Sequence, residues 1–176
     1  MLVVPEAVVR PLSECTPGSL VRPLGYVTEG AFALTGQIPG SETNVLIGLH
    51  EDGPTYDLIQ QPADLHVLLY SDPSEIEIDT AGAFEPRANE MYESVGCIRR
   101  DASRWLLNVR DGISRNDPSW RQKRMAFDLV TGDLVSPPHD INNICVFGGW
   151  SVTLAESTES DRKLKIFSFA WVRPSK

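Results

Sequence analysis

At 176 residues the chain has the length of one domain, and its 41% hydrophobic and 23% charged residues match ordinary globular usage, which excludes wholesale disorder. No apolar run approaches the ~20 residues of a membrane-spanning helix, and Met1 to Arg10 lacks a basic start followed by a long apolar stretch, so neither a membrane span nor an export signal is expected. The formal charge of −8 is unevenly divided: residues 1–86 carry 13 acidic and 2 basic side chains and residues 87–176 carry 11 and 14, so the two halves attract each other or show partners faces of opposite sign.

In chain order, Asn44 to Leu49 and His66 to Tyr70 are short and almost uniformly apolar, the composition of strands covered on both faces. Glu75-Ile76-Glu77-Ile78-Asp79 alternates with period two and predicts a strand with one wet face; its acidic row suits a protected edge better than a cation site or an acid–base pair. Ala88, Met91, Tyr92 and Val95 fall at i, i+3, i+4 and i+7 between Pro86 and Gly96, which predicts one short helix over about 86–95. Asp117-Pro118 offers a weaker helix start. From Arg104 to Arg110 period two returns: Trp105, Leu107 and Val109 share one face, Arg104, Asn108 and Arg110 the other, and Leu106 breaks the pattern. Met125, Phe127 and Leu129 alternate in the same way up to Thr131-Gly132-Asp133, a hairpin signal ahead of Leu134-Val135. Ile144 to Ala155 and Lys163 to Val172 read as an antiparallel pair, with Gly148-Gly149 marking a bulge or a close approach to the backbone.

These strands are linked by segments too short for helical crossovers, so the expected fold is mainly β: an antiparallel β-sandwich or a closed β-barrel with one short helix, forming a single domain over 1–176. Cys15, Cys97 and Cys145 are odd in number and contain no CxxC pair, which favours reduced core thiols over a disulfide framework or a zinc site, and hence the cytoplasm. The histidines, His50, His66 and His139, stand in no HExxH or Cys/His cluster; His50-Glu51-Asp52 and His139-Asp140 read as turns. Ser151 lacks a GxSxG elbow, and no phosphate-cradling glycine loop follows a strand. No catalytic residue, metal site or cofactor is assigned.

The sharpest local feature is basic. Arg99, Arg100, Arg104, Arg110, Arg115, Arg121, Lys123 and Arg124 place 8 of the 16 basic residues within 26 positions, with Trp105 and Trp120 interleaved. Arginine beside exposed aromatics can stack on single-stranded nucleic acid or form a protein hot spot, and a solvated face that balances the acidic half is the plain alternative. The candidate binding residues are therefore Arg99, Arg100, Arg104, Arg110, Arg115, Trp120, Arg121 and Arg124, with Trp105 expected inside. The favoured function is a non-catalytic protein-binding or accessory module that engages another protein or itself, without membrane contact. A single-stranded nucleic-acid binder is the first alternative, opposed by the overall acidity, and a small hydrolase or metal enzyme with an unrecognised site is the second.

Overall fold

A computed structural model describes residues 7–25, 32–70, 74–85, 94–101, 103–112, 124–137, 145–155 and 163–172. The strands are β1 (Ala7–Pro11), β2 (Leu20–Pro23), β3 (Ala33–Gln37), β4 (Asn44–Gly48), β5 (Thr55–Ile59), β6 (His66–Tyr70), β7 (Ser74–Ile78), β8 (Ala83–Phe84), β9 (Ile98–Asp101), β10 (Arg104–Asp111), β11 (Arg124–Asp128), β12 (Leu134–Val135), β13 (Cys145–Phe147), β14 (Gly149–Ala155) and β15 (Lys163–Ala170), with 3₁₀ turns at Leu12–Glu14 and Thr80–Gly82.

Twelve strands form one sheet in the order β1-β6-β2-β3-β4-β5-β10-β9-β13-β8, with β11 and β12 branching from β10, and β15-β14-β7 form a second. The branch exists because β10 is eight residues long. Its start, Arg104 to Leu107, pairs with β9 while Leu106 to Arg110 pairs with β11. Its end, Arg110 and Asp111, lies parallel to Thr55 and Tyr56 of β5, whereas the other pairings between the described strands are antiparallel. The alternation read in the sequence puts Leu107 opposite Phe127 and Val109 opposite Met125, and the Leu129 amide donates to the Trp105 carbonyl at 2.9 Å.

A single core joins the sheets: Leu34, Val45, Ile47, Ile98, Leu107, Val109 and Phe127 of the large sheet pack with Trp150, Val152, Leu154 and Phe169 of the small one. This sandwich-like arrangement follows from period two, since each inward row needs an apolar face opposite it. β4 is covered on both sides as expected, because Leu46 points away from Val45 and Ile47 into a second cluster with Leu12, Val21, Ile59 and Val67. The closed barrel is not found: among the described residues the large sheet runs open from β1 to β8, and the chain leaves it at Gly148 instead of closing it.

At Gly148, β13 of the large sheet gives way to β14 of the small one, so the Gly148-Gly149 interruption is a change of sheet; a bulge lies further on, between Val152 and Thr153. The hairpin from β11 to β12 turns where expected, with Gly132 at φ +73° and the Asp128 carboxylate accepting the amides of Val130 and Thr131. The helix expected over 86–95 lies outside the described residues up to 93. Ser94 to Cys97 form a turn, the Cys97 amide donating to the Ser94 carbonyl at 3.1 Å. Gly96 in that turn has φ +87°, a side chain there would collide with the Phe169 ring, and its carbonyl accepts the Trp150 indole N–H at 2.6 Å. Among the described residues no helix is long and apolar enough to cross a membrane.

Candidate functional site

The described arginines of the basic segment are largely engaged within the fold. Arg99 on β9 is only 3% exposed, its Nε has no hydrogen-bond partner among the described residues, and burial draws its guanidinium below the usual range. Such a group cannot reach a partner. Arg100 is exposed but lies over the half-buried Trp105 ring at 5.3 Å, so the stacking that the composition suggested is satisfied within the chain. Arg104 pairs with Asp101 at 2.9 Å.

Arg110, on the polar face of β10 and a candidate binding residue, is only 15% exposed in its side chain, and its Nη2 donates to Asp52 Oδ2 at 2.7 Å. The reason is its register. It lies between Thr55 and Arg124, and a cation opposite another cation is held best when a carboxylate reaches it. Arg124 is half-buried on the same seam. Arg115, Trp120 and Arg121 fall outside the described residues, as do His139 and the weaker helix start expected at Asp117-Pro118.

This seam also joins the oppositely charged halves of the chain. Asp57 is held above the usual carboxylate range, first by burial and then by the neighbouring Asp111, and burial with the Asp111 charge pushes the Tyr56 phenol up to about 12. A second cross-half contact is on the small sheet, where Lys163 Nζ donates to Glu75 at 2.5 Å and to Glu77 at 3.2 Å. The acidic row therefore does line an edge strand, β7, and is tied to β15 across β14. His50 is half-buried and His66 exposed. Among the described residues no three His, Cys, Asp or Glu side chains converge as a metal site.

The surface opens elsewhere, where the chain changes sheets. A hollow of about 330 Å³ is lined by Asp79, Gly82, Phe84, Gly148, Gly149, Ala170 and Trp171. Phe84 and Trp171 stack as its aromatic wall, with centroids 5.0 Å apart and planes at 12°. Its floor is backbone, held shut by the Trp171 amide donating to the Gly148 carbonyl and the Asp79 amide to the Gly149 carbonyl, each at 2.8 Å. Side chains at 148 and 149 would press on Trp171 and on Asp79 at 3.4 and 3.1 Å, so glycine is what leaves the space open. The Asp79 carboxylate is fixed by its role as cap: Oδ1 accepts the Ala81 amide at 3.0 Å. Asp79 is exposed, and its Oδ2 stands near Gly82 and Gly149.

A second hollow of about 380 Å³ adjoins it across Asp79, Gly149 and Ala170 and runs on to Glu77, Ser151, Lys165 and Ser168. It follows the outer face of the small sheet, where register places Glu77, Ser151 and Ser168 in one row and Glu75, Thr153 and Lys165 in the next. Small central residues between an acidic edge and a lysine-bearing edge make a shallow trough.

The sequence signals that touched this site were Gly148-Gly149, noted for close backbone approach, and Asp79, noted as part of an acidic row. Phe84 and Trp171 gave none, because they meet only when β8 and the end of β15 are brought to one place by β13. No family model, no curated protein and no solved structure matches this chain.

Proposed function

We propose that the chain is a non-catalytic protein-binding module whose contact surface is the hollow at the sheet change and the trough beside it. The observation that carries this reading is the contrast between two surfaces. The described arginines of segment 99–124 are buried, stacked, paired or half-buried, whereas the half-buried Phe84–Trp171 wall, packed on Cys97 and Val146, borders a hollow that also has glycine backbone and the exposed Asp79 carboxylate. Partly exposed aromatics bordering a pocket are what protein interfaces use as anchor sites. The nucleic-acid reading of 99–124 loses Arg99 to burial and Arg110 to Asp52, and the charged residue among those lining the hollow at the sheet change is Asp79, which repels phosphate.

The test is affinity capture from the source cell with the wild-type chain and with Ala170→Arg. Ala170 is exposed and lines both hollows, so a long side chain there fills the contact surface while stability stays within about 0.5 kcal/mol. A partner retained by wild type and lost by the variant is the expected result. A strict monomer by light scattering that retains no partner, or retains the same proteins with and without the substitution, overturns the proposal.

A further inference from the structure

We infer that the hollow at the sheet change receives the cationic side chain of a lysine or arginine from a basic segment of the partner, an assignment that rests on the protein-binding reading above. Among the described residues lining it, Asp79 is the charged one. Its Oδ1 is committed to the Ala81 amide, which fixes the carboxylate and turns Oδ2 toward the space above Gly82 and Gly149. The remaining lining is aromatic, glycine backbone and Ala170. A carboxylate beside an aromatic wall suits a group with a positive head and an apolar stem: the head meets the oxygen and the ring quadrupole, and the methylenes cover the ring. An anion would meet Asp79 with nothing to offset it, and a purely apolar side chain would leave the carboxylate desolvated.

The stretch of chain around Asp79 has the same sign. Residues 74–85 hold Glu75, Glu77, Asp79 and Glu85 and no basic residue. Among the described residues, Lys163 is bound to Glu75 and Glu77, and Lys165 stands in the adjoining trough, beyond the shared rim of Asp79, Gly149 and Ala170. A basic segment lying along β7 would therefore pass Glu75 and Glu77 on its way to Asp79.

The experiment titrates the ¹⁵N-labelled chain with N-acetyl-arginine amide and, separately, with N-acetyl-citrulline amide, which keeps the shape and removes the charge. Saturable shifts at the amides of Gly82, Gly148 and Gly149 and at the Trp171 indole are expected with the arginine probe, with citrulline about fivefold weaker. Asp79→Asn should bring arginine down to the citrulline level without unfolding the turn, because Asn caps about as well as Asp; unchanged resonances elsewhere verify this. Should that variant fold poorly, Ala170→Arg supplies the second reading: its own guanidinium fills the hollow and abolishes the arginine response. Equal response to the two probes, or none at those resonances, overturns the cationic assignment. If that happens while Ala170→Arg still abolishes partner capture, only the ligand chemistry falls; if capture is also insensitive to Ala170→Arg, the binding reading falls with it.

Discussion

Phe127→Ala tests how the two sheets are held together. Phe127 is fully buried, sits between Leu107 and Leu134 in register, and belongs to the cluster that includes Val45, Ile47, Trp150 and Val152. Gly36 lies so close beneath the ring that a side chain there would meet Phe127 Cε2 at 2.6 Å, so little backbone can move in to refill the space. Removing the ring should therefore cost about 3–5 kcal/mol, a large share of the ~5–15 kcal/mol that holds a typical domain folded. At roughly 2–4 °C per kcal/mol for a chain of this size, the melting temperature should fall by roughly 10 °C. Urea melts should show a lower midpoint with an unchanged slope, since the same surface is exposed on unfolding. A melting curve that overlays the parent's would refute the register and the shared core.

Arg110→Glu should destabilise the fold by about 1–2 kcal/mol by setting a second carboxylate against Asp52, and Asp52→Arg in the same chain should recover part of the loss in a double-mutant cycle; additive losses would show that the pair does not interact. Gly96→Ala should lower the urea midpoint because the positive φ and the Phe169 ring both oppose a side chain; an unchanged midpoint would contradict that packing. Burial pushes the Cys97 thiol from 9.0 up to about 12 and the Tyr56 phenol from 10.0 up to about 12. The unfolded chain therefore loses these protons first, so their stability contribution is complete below pH 9.0 and declines as pH rises toward about 12. Urea midpoints that stayed level across that window would contradict the assignment, and Cys97→Ala and Tyr56→Phe should each flatten the decline. Cys145 is exposed while Cys15 and Cys97 are buried, so a thiol reagent should modify one of these three rapidly in the native protein and all three in urea.

Much of the fold was legible because alternation is a local signal. Trp105, Leu107 and Val109 had to face Met125, Phe127 and Leu129 once both runs were strands, and Thr131-Gly132-Asp133 could only turn. Sandwich and barrel remained equivalent in sequence because closure depends on which strands become edges, and the parallel contact of Arg110 with Thr55 joins positions 55 residues apart in a way no period reports. The basic segment misled for a related reason. Arg110 lies on the polar face of its strand, as alternation required, but whether a polar face meets water or Asp52 is decided by a strand from the other half of the chain. Arg99 has even less local signal, since it follows Ile98 on a strand whose two faces are both covered. The hollow was half legible: Gly148-Gly149 announced an open backbone, and the aromatic wall needed the tertiary fold.

If partners dock at the hollow beside the small sheet and not on the arginines of 99–124, one substitution in each surface separates the two. One quantitative capture experiment compares the wild-type chain, Ala170→Arg and Arg100→Glu, all first shown by thermal melts to be folded. Arg100 is the exposed arginine over Trp105, so its reversal reports on the basic segment with little effect on the core. Partner recovery that is lost with Ala170→Arg and retained with Arg100→Glu is the expected result; recovery lost with Arg100→Glu and retained with Ala170→Arg would contradict the claim and return the contact surface to the basic segment.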